Sequence, residues 1–470
     1  MPAPHAFHPT ILREYDVRGI VGETLFAADA RALGQAYATI LAREGKGLRI
    51  AVGYDGRMSS PTLVAALIDG LVSAGAEVLS VGCGPTPMLY FAVHHLGCDG
   101  GIQVTGSHNP PSHNGFKMMI GTASFFGERI QAMRPIAEAG DFLEGAGGTV
   151  LATPVFDDYV DRLAKDYHGT RPIHAIWDTG NGAAGPAVEA LVAKLPGTHE
   201  VLFAEIDGTF PNHHPDPTEP ENLEHLIERV RQSGAEIGIG FDGDGDRIGV
   251  VDGQGRIFFG DQLIEVLASD LLPRYPGAPI IADVKASQTL YDAIARMGGE
   301  PVMWKTGHSL IKAKMAEIGA PMSGEMSGHI FYKDGFYGHD DALYVAVRLL
   351  DILARGSQTL ADYKDAMPAV VNTPEIRIDC PDEKKFDVIA AVKERLAAAG
   401  AEVIAIDGVR VNTADGWWLM RASNTQAVLV ARAEAKDEAG LERLKATIRT
   451  ELDHAGVGVP KALQPARATT

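Results

Sequence analysis

One pattern recurs three times along the chain: an apolar run ends in an aspartate followed by small residues. Arg49–Tyr54 (RIAVGY) leads into Asp55-Gly56, and His174–Trp177 (HAIW) leads into Asp178-Thr179-Gly180. Pro279–Val284 (PIIADV) carries Asp283-Val284-Lys285. Short apolar runs bounded by turn residues fit strands covered on both faces, which places helices on both sides of a mostly parallel sheet. The intervals agree. Helices are expected at Pro61–Ala74, opened by Ser60 and Pro61, and at Met88–Leu96, with strands at Glu77–Val81 and Gly101–Val104. Glu236–Phe241 and Pro301–Trp304 read as later strands. Each unit then presents a glycine-rich polar loop, so the repetition predicts three related α/β domains with mixed sheets.

The last hundred residues follow another rhythm. Glu375–Asp379, Val403–Ile406, Gly416–Met420 and Ala427–Ala431 read as strands, Phe386–Ala399 and Leu441–His454 as helices. Strands joined by short turns predict a smaller α+β domain. Turn residues cluster near Thr153-Pro154, Gly253–Gly255 and Thr373-Pro374, which divides the chain at 1–153, 154–255, 256–373 and 374–470. The tail GVPKALQPARATT is expected to fray.

A net charge of -19 opposes nucleic acid and anionic membranes as partners, yet permits a small anion held by basic groups gathered at one site. Cys83, Cys98 and Cys380 show no CxxC spacing, which predicts free, buried thiols in a reducing compartment. With no apolar leader and no run of 18 apolar residues, the expected location is the cytoplasm.

Four loops carry chemistry. In Thr105–Lys117 (TGSHNPPSHNGFK) two prolines block a helix and hold Ser107 at the loop mouth, although a self-capping rigid turn would have the same composition. In DGDGDR, Asp242, Asp244 and Asp246 alternate with glycines. Three anions so close repel and raise one another's pKa unless a cation sits between them, and an oxygen-only set selects Mg²⁺ or Ca²⁺, although a solvated acidic turn would have the same composition. An EF-hand fails, because Arg247 and Gly253 stand where Gly and a bidentate Glu are needed. Gly238, Gly240 and Gly243 match G-x-G-x-x-G, but the aspartates that follow would repel a pyrophosphate, so a dinucleotide site is rejected. In GEMSGH, Glu325 and Ser327 suit vicinal hydroxyls and His329 supplies an imidazole, with Lys305 and His308 upstream, although in isolation the loop reads better as a helix-capping turn with a surface histidine. In RASNT, the Arg421 fork with Ser423, Asn424 and Thr425 makes an anion nest, or an ordinary turn.

Together, in this order and at domain-sized spacing, these loops resemble the α-D-phosphohexomutase superfamily, in its bacterial phosphomannomutase/phosphoglucomutase branch. TGSHNPPSHNGFKM resembles the phosphoserine loop, DGDGDR the metal loop, GEMSGH the sugar-recognition loop and RASNT the phosphate-binding loop, and the likeness runs from REYDVRGI to the last domain. The resemblance implies three similar α/β domains and a smaller fourth around a central cleft. It implies a phosphorylated Ser107 that, with Asp242, Asp244 and Asp246, ligates one Mg²⁺ per chain. Lys117 and Arg247 would stabilise the transferring phosphoryl, and His308 and His329 would move protons. Tyr15, Arg18 and Lys285 would contact substrate, Glu325 and Ser327 the sugar, and Arg421, Ser423, Asn424 and Thr425 the phosphate that does not react. The implied reaction interconverts hexose 1-phosphate and hexose 6-phosphate, of mannose or glucose, through a hexose 1,6-bisphosphate. Closure of the fourth domain would exclude water. The enzyme would act as a monomer or weak homo-oligomer.

Two rival enzymes compete. A phosphoglucosamine mutase would carry Gln in place of Met326 and Gly-Thr-Glu in place of Asn424-Thr425-Gln426. A Mg-dependent sugar phosphatase would need neither a stable phosphoserine nor a bisphosphate. A non-catalytic paralogue is disfavoured by the intact Ser107, aspartate triplet and Arg247.

Overall fold

A computed structural model describes residues 3–424 and 426–464. Three of its sheets repeat one strand order. In the first, Glu77–Cys83, Arg49–Tyr54 and Gly100–Val104 lie side by side in parallel, and His113–Ile120 returns antiparallel. In the second, the same places are taken by Gly197–Leu202, Ile173–Asp178, Ile237–Phe241 and the antiparallel Ile248–Asp252. In the third they are taken by Glu300–Trp304, Pro279–Asp283, Met322–Gly324 and the antiparallel Ile330–Tyr332. The repeated strand-to-aspartate pattern therefore marks the second-placed strand of each sheet. Additional strands extend two of them: Val17–Ile20 and Thr149–Ala152 flank the first sheet, and Ile257–Phe258 joins the second.

The fourth unit is a smaller α+β domain. Its main strands, Ile376–Asp379, Val409–Asn412, Gly416–Ala422 and Val428–Ala435, pair antiparallel, with helices Lys385–Ala398 and Glu438–His454 beside them.

The first three units are joined by one apolar core, beside which the first unit keeps a second core of its own around Tyr37, Ile50, Val104 and Phe116. The joining core runs from Leu79, Met88 and Phe91 through Trp177, Val188 and Phe241 to Ile280, Leu343 and Leu350 without a break. Helix Ala342–Arg355 of the third unit packs against the second sheet and is buried along nearly its whole length, which explains the fusion. The fourth unit keeps its own core, with Ile378, Val392, Trp418 and Ile448. Its apolar contact with the rest is a small cluster around Val284, Trp417 and Leu419. Polar bonds supply the remainder. Arg410 donates to Val284 O at 2.7 Å and Ala286 O at 2.8 Å, while its guanidinium lies 3.8 Å over the Trp417 ring.

Two expectations need correction. Of the tail expected to fray, residues 458–464 are docked: Lys461–Leu463 forms a 3₁₀ turn, Leu463 is buried, and its carbonyl accepts from Arg449 at 2.5 Å, while residues 465–470 lie outside the described residues. One apolar side chain at the right offset from the last helix suffices to dock the segment. Cys83 is exposed, unlike Cys98 and Cys380, because it ends its strand where the sheet opens towards solvent. Among the described residues no helix is long and apolar enough to cross a membrane.

Since Arg410 is the buried bolt between the third and fourth units, Arg410→Met leaves two buried carbonyls bare. The expected loss is about 2–4 kcal/mol. Limited proteolysis should then cut faster around residues 367–375; an unchanged digestion rate and melting curve would count against this role.

Candidate active site

The chemistry-bearing loop of each unit occupies one topological position, the turn between the third-placed strand and its antiparallel partner. These turns span residues 105–112, 242–247 and 325–329. The fourth loop links the antiparallel neighbours Gly416–Ala422 and Val428–Ala435. Strand carboxyl ends are where open α/β sheets leave a crevice, and here the loops meet at a cleft of about 520 Å³.

Ser107 lies beneath that cleft, 1% exposed, with φ +49°, a left-handed conformation rare outside glycine. Two residues hold the strain. Asp55, at the end of its strand, accepts from Gly106 N at 3.0 Å, Thr105 Oγ1 at 2.9 Å and Ser60 Oγ at 2.5 Å. Buried Arg57 donates to the carbonyls of Ser107, Asn109, Pro110 and His113 at 2.5–3.0 Å. A Cβ on Gly106 would fall 2.4 Å from Arg57 Nε, so only glycine fits there. Held in this way, Ser107 Oγ donates to Asp242 Oδ2 at 2.9 Å.

Asp242, Asp244 and Asp246 are all fully buried. Lys117 Nζ donates to Asp244 at 2.8 Å and, more closely, to Asp246. Burial and the two neighbouring anions push the Asp242 carboxyl well above its usual range. Burial also acts against the Asp244 anion, but Lys117 and hydrogen bonds outweigh it and hold that carboxyl below its usual range. For Lys117, burial opposes the charge and the aspartates more than offset it, so the ammonium is held firmly. Asp244 Oδ1 and Asp246 Oδ1 have no hydrogen-bond partner. Orphaned carboxylate oxygens at the meeting point of three buried anions are what a hard divalent cation would satisfy, so the donor set fits one.

The cleft wall gathers Tyr15, Arg18, Lys117, Arg247, Lys285, His308, Glu325, Ser327, His329, Arg421 and Ser423. Basic groups are thus concentrated at one place in an acidic protein. Most already lean on a carboxylate, which orients them: Arg18 on Asp16 at 2.7 Å, Lys285 on Glu375 at 3.0 Å and Arg421 on Asp407 at 2.9 Å. Lys285 in turn draws the Glu375 carboxyl down to about 2, against the effect of burial. Glu325 accepts from Gly307 N at 2.7 Å. Arg247 Nε donates to His329 Nε2 at 3.0 Å, and the His308 and His329 rings stack at 5.4 Å. Ser423 Oγ accepts from Gln426 N at 3.2 Å. Asn424 stands back from the cleft surface, and its side-chain amide donates at 2.5 Å to Tyr15 OH, which donates to Thr306 O at 2.9 Å. Thr425 lies outside the described residues.

The sequence reading gave no role to Asp55, Arg57, Thr86, His108 or Asp340. Thr86 donates to Asp244, and His108 Nδ1 stands 3.2 Å from Ser107 Oγ. Asp55 did carry a signal, as the first of the repeated strand-end aspartates. Its counterparts do similar work: Asp178 accepts from Gly180 N at 2.9 Å, and Asp283 from Met326 N at 3.0 Å. Arg57 carried no signal, because a lone arginine after a strand reads as surface.

Comparison with known families now decides the class. Residues 9–143, 157–255 and 259–370 match phosphoglucomutase/phosphomannomutase alpha/beta/alpha domains I, II and III, and residues 375–451 match the C-terminal domain of the same family. The chain belongs to the phosphoglucomutase/phosphomannomutase family. Within this family, a phosphomannomutase/phosphoglucomutase of Pseudomonas putida is 46% identical over 449 residues, 96% of either chain. A phosphoglucomutase of Neisseria gonorrhoeae is 44% identical, covering 93% of this chain and 95% of that one. A crystal structure of a phosphoglucomutase/phosphomannomutase family protein from Burkholderia thailandensis superposes with a TM-score of 0.90. It is 44% identical, and the match covers 97% of this chain and 99% of that one. The family fold of three α/β/α domains and a C-terminal domain is the architecture described above.

Because Lys117 neutralises the aspartates, Lys117→Met should destabilise the metal-free protein by roughly 3–5 kcal/mol. A divalent cation should then raise the melting temperature of the variant more than that of the wild type. Equal cation responses in thermal denaturation would show that Lys117 does not stand guard over this triplet.

Proposed function

We propose that this protein is a hexose phosphate mutase that interconverts the 1-phosphate and 6-phosphate of mannose or glucose through a phosphoserine at Ser107. The single observation that carries the reading is Ser107 Oγ bonded to Asp242 within the buried aspartate triplet, beneath a cleft lined with basic groups. In the proposed cycle the free hydroxyl of a bound hexose phosphate attacks the phosphorus on Ser107. The O–P bond to serine breaks as the new O–P bond to the sugar forms, and the hydroxyl proton passes to His329 or His308. The resulting 1,6-bisphosphate turns end for end and returns its other phosphate to Ser107 by the reverse steps.

Such a transfer spreads negative charge over the phosphoryl oxygens, so positioning and positive charge do most of the work. Arg247 and Lys117 would supply fixed charge from the protein. Asp242, Asp244 and Asp246 would hold Mg²⁺, which supplies further neutralisation of the phosphoryl group. Lys117 must then share its aspartates with the cation, which frees part of its charge for the phosphate. Glu325 and Ser327 would read the sugar hydroxyls. Tyr15, Arg18, Lys285 and the loop of Arg421, Ser423, Asn424 and Thr425 would hold the phosphate that is not reacting. One clamp serves both ends of the bisphosphate, because its phosphates exchange places. The units 1–153, 154–255, 256–373 and 374–470 would contribute the phosphoserine, metal, sugar and phosphate loops in turn. The separate core of the fourth unit supports closure by rigid rotation of that unit.

Intact-mass analysis before and after incubation with glucose 1,6-bisphosphate tests the reading. One phosphate should appear on the wild type and none on Ser107→Ala, whose mutase activity should fall at least a thousandfold by the logic of a lost nucleophile (~10³ or more). Activity on glucose 1-phosphate should rise with added bisphosphate. Stoichiometric release of inorganic phosphate instead would make the protein a phosphatase.

A further inference from the structure

Asp340 is absent from every role assigned so far, yet it is fully buried beside the two histidines of the cleft. Its place is fixed twice. The backbone of Asp340 bridges to Phe331, in the strand that begins immediately after His329, and Lys312 Nζ donates to its Oδ1 at 2.9 Å. That leaves Oδ2 facing His329 Nδ1 at 3.1 Å, with His308 Nδ1 farther off at 3.9 Å. Asp340 Oδ2 and His329 Nδ1 are both buried without any other polar partner closer than 3.6 Å, the distance from Nδ1 to Asp246 Oδ1, and His329 is only 3% exposed. Of the two carboxylate oxygens that face this buried ring nitrogen, that of Asp340 is the nearer and the one within hydrogen-bond distance.

The opposite side of the ring settles which nitrogen holds the proton. Arg247 is a donor without acceptor capacity, and its Nε–H points at His329 Nε2 from 3.0 Å. Nε2 is therefore the bare nitrogen, and the proton of the neutral ring sits on Nδ1, towards Asp340. The same argument removes a rival explanation. Asp246, His329 and Asp340 bring donor atoms close enough to suggest a second metal site. A metal on Nδ1 with Arg247 donating to Nε2 would require a ring stripped of both protons, which these surroundings do not support.

We propose that Asp340, anchored by Lys312, is the positioning residue that fixes His329 as the Nδ1–H tautomer and keeps Nε2 aimed at the cleft as a proton acceptor. This rests on the proposed function only in giving Nε2 a sugar hydroxyl to serve; the tautomer itself belongs to the resting protein. A carboxylate behind an imidazole fixes ring orientation and the identity of the basic nitrogen, and it steadies the charge that appears once a proton is taken. Arg247 is the gate in this arrangement, because a phosphate that draws the guanidinium away uncovers Nε2 when substrate is present.

The test reads the ring directly. Protein labelled with ring-¹⁵N histidine, with His329 assigned by the signal lost in His329→Ala, is examined by long-range two-dimensional NMR. The wild type should show a protonated Nδ1 and a bare Nε2. Asp340→Asn should shift the ring towards the Nε2–H form and lower kcat by roughly 10²–10⁴-fold, with KM and divalent-cation affinity held. Lys312→Met should shift the ring in the same direction to a smaller extent. A wild-type ring protonated on Nε2 overturns the proposal without any variant, and so does an Asp340→Asn protein with unaltered ring signals. A shifted tautomer with wild-type kcat would leave Asp340 as the orienting group and instead remove His329 as base from the proposed cycle.

Discussion

Three fully buried carboxylates on one turn dictate what must surround them. Left alone, such a cluster would take up protons or unfold its loop. The chain answers with Lys117, reaching from the antiparallel strand of the first unit into the metal loop of the second. The loop of Ser107 and the aspartates are therefore joined by an electrostatic demand as well as by shape. Glycine completes the approach: a Cβ at Gly243 would lie 2.5 Å from the Ser107 carbonyl oxygen. The cluster is neutralised by a residue that comes from another unit, so the first two units cannot part without exposing an uncompensated charge.

The sharing of cores follows the same division. One apolar core joins the second and third units to one side of the first, which ties their three loops together, while the strands flanking the Ser107 loop also pack into a second core of the first unit. The fourth loop stands on a body with its own core, held to the rest by a small apolar patch and by arginine-to-carbonyl bonds. Rigid geometry where a phosphate would change hands, and a separately packed unit where a substrate must enter and turn, are complementary requirements.

Much of this was legible in the sequence because it is written in local patterns. The strands ending in Asp55, Asp178 and Asp283 were visible as apolar runs, and their equivalence emerged from repetition. The alternating Asp242, Asp244 and Asp246 announced a cation by charge density alone. Partners far apart in the chain were not legible. Arg57, which ties down four carbonyls of the Ser107 loop, looks like any arginine after a strand. Asp340 sits in an unremarked HDD stretch, and only tertiary folding brings it to His329. The docking of Leu463 was missed for a related reason: a single apolar residue in a polar tail has no periodicity to betray it. Local chemistry was readable, whereas its supports were not.

The backbone at Ser107 has a consequence of its own. At φ +49° the left-handed region tolerates a plain side chain at some cost and rejects one branched at Cβ. Threonine offers the same hydroxyl as serine, but its extra methyl would press on a chain already pinned by Arg57 and Asp55. The loop thus discriminates between two alcohols that solution chemistry treats as near equals. Torsion angle, rather than reactivity, decides which amino acid this position accepts.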